Sequence, residues 1–296
     1  MASALVSTGR PRHAGSPDRC SLMGLPIDRV TEGEAVQRIL TASTSGRGGW
    51  VLTPNVDILR QIVRDDALRQ TVEKATLRLV DGAPLVWASR IQHDPLPERI
   101  PGASFVWSLS EAAARSAIPI FLLGGAPGVA VKAGLVLQAQ IPGLLMAGVH
   151  CPPLGFENSP EATAAITESI GAANPGIVFC GLGCPKQERL MSCLAEIFPH
   201  IWFLASGGSL DFIAGVTTRA PAWMQNAGLE WLHRLTHEPK RLFRRYVVHG
   251  MPFALRLLAR SSMSRRRLRK PDRELGPVED SPKIAEELDA QMPGLQ

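Results

Sequence analysis

Residues 177–188 read IVFCGLGCPKQE: an apolar run, a Gly-Leu-Gly turn, then a Pro-Lys-Gln-Glu helix start. Residues 203–215, FLASGGSLDFIAG, repeat the pattern, with an apolar run that breaks at a glycine pair. Two strand-to-turn-to-helix passages in succession predict neighbouring parallel strands with Gln187, Glu188 and Asp211 at their carboxyl ends. That edge is where open α/β sheets bind ligands. Residues 218–246, TRAPAWMQNAGLEWLHRLTHEPKRLFRRY, follow as a helical segment dense in Trp and Arg. Polar groups on a sheet edge beside concentrated positive charge suit a diphosphate-bearing substrate.

Outward from this stretch, apolar strands alternate with helical segments. Strands are predicted near Ser21–Leu25, Trp50–Thr53, Leu77–Val80, Ile118–Leu123, Leu144–Val149, Gly176–Cys180 and Ile201–Ala205. Helices are predicted from Thr31, with Glu34 completing a capping box, from Asn55 toward Ala75, over Ser104–Ala117, from Val129, and over Pro160–Ala173. Strands separated by helices of ~10–15 residues indicate a parallel sheet covered on both faces. The expected architecture is α/β: a single Rossmann-like domain with a mostly parallel sheet, plus a basic helical C-terminal appendage. Its parts are a disordered N-terminus (1–19), the catalytic α/β domain (20–226), helices broken at Glu238-Pro239 and kinked at Pro252 (227–262), and a flexible tail (263–296).

Charge is divided sharply along the chain. Residues 1–233 carry a net −1, residues 234–273 a net +11, and residues 274–296 a net −5. Basicity confined to one segment argues for a local anionic partner. The five cysteines are odd in number and show no CxxC spacing, which fits reduced thiols in a cytosolic protein. Met1–Cys20 lacks the apolar core of a signal peptide, and no run reaches the ~18 apolar residues of a spanning helix. A soluble or membrane-surface protein is expected.

The polar positions admit more than one reading. Asp81, at a strand end before Gly82, is placed for a general base, although a helix cap is the commoner role for a lone Asp-Gly. Thr53 and Asn55 also sit at a strand end, where turn and cap roles are common. Arg99 could clamp a phosphate. The Gly124-Gly125 pair and Gly183 precede helices whose first amides favour anions. Neither turn completes a Walker loop or the dinucleotide fingerprint. His233 and His237 lie one helical turn apart with no third ligand evident, and no Asp-x-Asp pair lies in the globular region, so no metal site is expected. Trp223, Trp231, Phe243 and Tyr246 could dock the C-terminal helices on the core or face a membrane surface.

Eight motifs occur in order: TPNVD (53–57), VDGAPLVWASR (80–90), RIPG (99–102), FLLGG (121–125), GLGCPKQE (181–188), GGSLDFIAG (207–215), RAPAW (219–223) and GLEWLHRL…EPKRLFRRY (228–246). Over roughly Met23 to Val247 the chain resembles the WecG/TagA/CpsF glycosyltransferases, glycosyltransferase family 26. The resemblance implies inverting, metal-independent transfer from a UDP-sugar to a polyprenyl-diphosphate-linked saccharide, with no cofactor, in cell-envelope or exopolysaccharide biosynthesis. The enzyme would be a hexosyltransferase or an N-acetylmannosaminyl or N-acetylmannosaminuronyl transferase. It would be cytoplasmic, held peripherally at the inner face of the cell membrane, with no nucleic-acid partner and with homo-oligomerisation left open.

Residue by residue, the resemblance makes Asp81 the base, with Thr53 and Asn55 beside it. Arg99 and Gln187 face the sugar-diphosphate, with Gly124, Gly125 and Gly183 in the binding turns, and Asp211 meets the nucleotide end. Arg234, Arg241, Arg244 and Arg245 meet the acceptor's diphosphate or the membrane. Two departures bear on donor preference: Ala83 stands where the family often has glycine, and Arg189-Leu190 where an aromatic is common. Other classes stay open on the residues alone. One is a nucleotide-binding dehydrogenase; the other is a noncatalytic protein binding a nucleotide, RNA or a membrane surface through the basic segment.

Overall fold

Alternate residues of the central strands point into two different apolar cores. Trp50, Leu52, Phe121, Leu123, Val178, Cys180, Phe203 and Ala205 enter one cluster, while Val51, Ile120, Leu122, Ile177, Phe179, Trp202 and Leu204 enter the other. A period-two pattern with both faces buried marks a sheet sandwiched between helices. The computed structural model describes residues 18–268. The expectations of a disordered start and a flexible end fall largely outside these residues; Arg19 already belongs to a strand.

The chain begins with strands β1 (Arg19–Leu22) and β2 (Leu25–Asp28), then helix α1 (Glu32–Thr44). There follow β3 (Gly49–Leu52), α2 (Val56–Arg64), α3 (Asp66–Glu73), β4 (Leu77–Arg78), α4 (Ala83–Ile91) and α5 (Gly102–Arg115). The middle holds β5 (Ile120–Gly124), α6 (Val129–Gln140), β6 (Met146–His150), α7 (Pro160–Ala173), β7 (Ile177–Gly181) and α8 (Lys186–Ile197). After β8 (Trp202–Ala205) come helices only: α9 (Ser209–Ile213), α10 (Ala222–Asn226), α11 (Glu230–His237), α12 (Pro239–Phe243), a π-helical stretch (Arg244–Gly250) and α13 (Met251–Leu268).

Local chemistry sets where each element starts and stops. Thr31 and Glu34 form the expected capping box at α1. The single strand expected near Ser21–Leu25 is instead a β1–β2 hairpin, because Met23 and Gly24 both take positive φ and close a two-residue turn. The helix expected from Asn55 toward Ala75 divides at Asp65, which is extended and caps α3 by accepting from the Leu68 N–H at 3.0 Å. Just before Pro252, where a kink is expected, the helix is wound more widely over Arg244–Gly250. Proline has no N–H to offer the carbonyl four residues back and crowds it, and the stretch before it is π-helical.

All six strands of the main sheet are parallel, in the order β4-β3-β8-β7-β5-β6. The connections β5→β6 and β7→β8 leave in opposite directions, so a crevice opens between the carboxyl ends of β5 and β7. The C-terminal helices belong to one of the two cores. Phe253 and Leu257 of α13 are buried in the cluster that contains Leu85 and Val86 of α4, and Leu242 of α12 is fully buried. Burying a Phe or Leu contributes about 1.5–3 kcal/mol each.

Candidate active site

Asp81 lies past the end of β4, and its N–H donates to the Pro54 carbonyl at 3.1 Å. This bond fixes the chain's path so that Gly82, not Asp81, is the cap residue of α4, and no side chain caps that helix. The Asp81 carboxylate is therefore not spent on capping. It is half-buried and still partly open to solvent. Burial pushes its pKa up to about 6, nearby Glu230 adds to the rise, and Arg99, Arg234 and Arg219 pull the other way.

The neighbouring strand ends build the wall behind Asp81. Thr53 is buried, and its hydroxyl donates to the Ala205 carbonyl at 3.0 Å, tying the carboxyl ends of β3 and β8 together. Asn55 caps α2, its Oδ1 accepting from the N–H groups of Asp57 and Ile58 at 3.1 Å. A Cβ on Gly82 would lie 3.2 Å from the Asn55 Cα, so the two turns pack closely. Both polar residues serve the turn and cap roles that strand ends favour, and both shape the loop that carries Asp81.

Opposite stands a cluster of charges drawn from separate segments. Arg99 is placed by the Ile100 N–H, which donates to the Val80 carbonyl at 2.7 Å. Its Nη1 lies 3.7 Å from an oxygen of Glu230. Arg219 reaches the other Glu230 oxygen at 3.4 Å and donates to the Ser104 hydroxyl at 2.9 Å. Arg234, also on α11, lies over the Phe212 ring at 5.4 Å. A Cβ on Gly208 would come within 3.2 Å of its Nη2 and 3.7 Å of the Asp211 Oδ2. Asp211 is thus beside Arg234, its pKa raised by burial first, with Arg241 and Arg234 opposing and Glu238 adding. A cavity of about 220 Å³ adjoins, lined by Trp107, Phe212 and Arg219 among others.

Gly124, Gly125 and Gly183 all take positive φ in the turns at the β5–β7 crevice. The Gly125 N–H donates to the Gly181 carbonyl at 3.2 Å, and a Cβ on Gly124 would lie 2.5 Å from that same oxygen. Gln187 turns inward. Its Oε1 accepts from the Gly183 N–H at 3.2 Å and its Nε2 donates to Glu188 at 2.9 Å, so it closes the Gly-Leu-Gly turn from beneath. Glu188 is fully buried, and burial raises its pKa.

The C-terminal arginines divide by face. Arg245 ion-pairs with Asp57 of α2 at 2.7 Å. Arg241 is exposed and pairs with Glu238 at 2.5 Å, and Arg244 is exposed. The aromatic residues divide likewise: Trp231 and Tyr246 meet edge-to-face at 6.4 Å, whereas Trp223 and Phe243 are exposed. Exposed Val248, Met251 and Leu255 continue an apolar stripe past Phe243, with Arg256 alongside. Among the described residues no helix is long and apolar enough to cross a membrane. His237 Nδ1 lies 2.9 Å from the His233 carbonyl, and no group of three or more His, Cys, Asp or Glu side chains among the described residues could hold a metal ion.

Reading the sequence alone left Arg219 and Glu230 without roles, although both stand inside quoted motifs. The mixed pattern of a half-buried carboxylate, arginines and glycine turns on a parallel sheet edge suits transfer chemistry at a diphosphate-bearing carbon. The family comparison agrees: residues 20–267 match the glycosyl transferase WecG/TagA/CpsF family, and the chain belongs to that family.

Proposed function

We propose that this glycosyltransferase moves a sugar from a UDP-sugar to a polyprenyl-diphosphate-linked saccharide at the inner face of the cell membrane, with inversion and without a metal, in the synthesis of a cell-envelope polymer. The supporting observation is Asp81: a carboxylate freed from capping, half-buried, with its pKa pushed up to about 6 by burial and by Glu230 against the pull of three arginines. A base of unperturbed pKa ~3.9 would be weak, and a raised one is better matched to neutral pH.

In this reading the acceptor hydroxyl attacks the anomeric carbon from the face opposite UDP. The new C–O bond forms as the bond to the UDP oxygen breaks, and Asp81 takes the hydroxyl proton. The charge gathering on UDP is met by Arg99, Arg219 and Arg234, with the amides of the Gly124-Gly125 and Gly183 turns nearby. Asp211 and the aromatic cavity against Trp107 and Phe212 take the nucleotide end. Thr53, Asn55 and Gln187 act by holding the loops. Arg241 and Arg244, exposed beside the apolar stripe, meet the acceptor's diphosphate and the membrane, while Arg245 docks the segment that carries them. The donor is one of the hexosyl, N-acetylmannosaminyl or N-acetylmannosaminuronyl UDP-sugars.

The test is a panel of UDP-sugars against a lipid-diphosphate acceptor, with the product's anomeric configuration determined. Binding of UDP, without affinity for NAD or RNA, and an inverted product are expected. Binding of NAD or RNA in place of UDP, or a product that retains the donor's configuration, would overturn the reading.

A further inference from the structure

We infer that Glu230 is a positioning residue of this site: its carboxylate draws Arg99 and Arg219 to itself and so keeps them from closing a salt bridge on Asp81. The inference rests on the reading of Asp81 as the base.

A carboxylate surrounded by arginines ordinarily makes a poor base, because an adjacent guanidinium stabilises its ionised form and lowers its proton affinity. Asp81 has three such neighbours and still stands well above the usual carboxylate range. The geometry explains how. Arg99 Nη1 is 3.7 Å from one Glu230 oxygen, and Arg219 Nε is 3.4 Å from the other. Arg219 is tied further by its bond to the Ser104 hydroxyl. The Glu230 side chain is only 17% exposed, so its hold on both arginines is weakly screened. Arg234 lies over the Phe212 ring at 5.4 Å, a second interaction for its guanidinium.

The charged groups facing Asp81 are Glu230 and Arg234 from α11, Arg99 from the segment before α5, and Arg219 from the segment before α10. The Thr53-Pro54-Asn55 turn and Gly82 contribute no titratable side chain. Glu230 thus acts twice, by diverting two cations and by placing a like charge near the base. It acts without touching the reacting atoms. Because it arrives on α11, the base reaches its working proton affinity only with that helix in place.

The experiment is titration of the Asp81 carboxyl by ¹³C NMR in the intact chain, with its resonance identified by its loss in Asp81→Asn. No substrate is required. In Glu230→Gln the midpoint is expected to fall by roughly one pH unit or more, the scale of a single close charge. Turnover should drop ~10-fold at neutral pH, and the acid limb of its pH profile should move down with the midpoint. Glu230→Asp, which keeps the charge, should stay within a few tenths of a unit of wild type. Glu230→Ser serves in place of Gln should the latter be insoluble, with the same downward shift expected. An unmoved midpoint in the uncharged variants, or an equal shift in Glu230→Asp, would overturn the assignment. Full turnover in Asp81→Asn would instead remove the base reading and this role with it. The two failures are distinct, since the first is read from the titration and the second from product formation.

Discussion

Arg245 and Asp57 meet at 2.7 Å, joining the π-helical stretch near the C-terminal end to the first turn of α2, whose cap Asn55 packs on the loop of Asp81. Asp57 also holds Arg60 at 2.8 Å. Removing one partner of a fully buried pair costs about 3–5 kcal/mol, but Arg245 is partly exposed and Arg60 remains. Arg245→Met is therefore expected to lower stability by about 1–2 kcal/mol, read as a shift in the denaturant midpoint. A double-mutant cycle with Asp57→Asn should show coupling, and additive effects would mean that the pair contributes nothing.

Asp81→Asn should separate activity from stability. Turnover is expected to fall by at least ~10²-fold, the scale of a lost general base. Its folded-state pKa is raised from 3.8 to about 6, so its contribution to stability is fullest at low pH and is lost as pH rises through about 6. The neutral amide escapes that loss, which is at most about 3 kcal/mol and is reduced by the carboxylate's remaining contact with solvent. The variant should melt higher than wild type at pH 8, with the gain fading toward pH 4. Wild-type turnover should show an acid limb near pH 6, and a lower melting temperature at pH 8 would contradict the burial argument.

A methyl group at Gly208 would press on the Arg234 guanidinium, the far end of a flexible side chain. Gly208→Ala should leave the thermal midpoint nearly unchanged while shifting Arg234 away from Asp211. A several-fold rise in KM for the donor is expected. Unchanged kinetics would show that Arg234 has no fixed task there.

Arg241 and Arg244 are exposed, so replacing both with Gln should leave the fold intact. Turnover on a lipid-diphosphate acceptor should fall ~10-fold or more with UDP binding retained. Removal of residues 264–296, which hold the Arg265–Lys270 cluster, should instead weaken liposome binding in a salt-dependent way, since each basic residue near anionic headgroups contributes about 1 kcal/mol. Turnover on a short water-soluble acceptor should survive that truncation.

Turnover should also survive saturating EDTA on the proposed reading, in which Arg99, Arg219 and Arg234 meet the charge of the departing diphosphate. Activity lost to chelation and restored by Mg²⁺ or Mn²⁺ would return His233 and His237 to consideration.

Local signals were legible in the chain, and long-range pairings were not. Thr31 with Glu34, Ser159-Pro160 and the apolar runs of β5, β7 and β8 announce their elements, because caps and periodicity act within a few residues. Asp81 stayed ambiguous because Asp and Gly can both cap a helix. The choice is made by a bond to the Pro54 carbonyl, which no neighbour in sequence dictates. The inward turn of Gln187, whose amide closes the Gly-Leu-Gly turn, is likewise visible only in the folded chain. Nothing local says which carboxylate a distant guanidinium will meet, so Glu230 with Arg99 and Asp57 with Arg245 appear only once the chain is folded.

The π-helical stretch Arg244–Gly250 sets a rotational phase. Along an uninterrupted α-helix the eight steps from Arg245 to Phe253 would overshoot two full turns by roughly 80°. A stretch with more residues per turn takes up that excess, so Arg245 can face Asp57 while Phe253 and Leu257 face α4. Deleting one residue there would restore the tighter winding and leave the ion pair and the apolar anchor out of step, so that only one could seat. The length of this short segment thus acts as the timing between two locks, and a change in spacing would be felt more sharply than most changes in side chain.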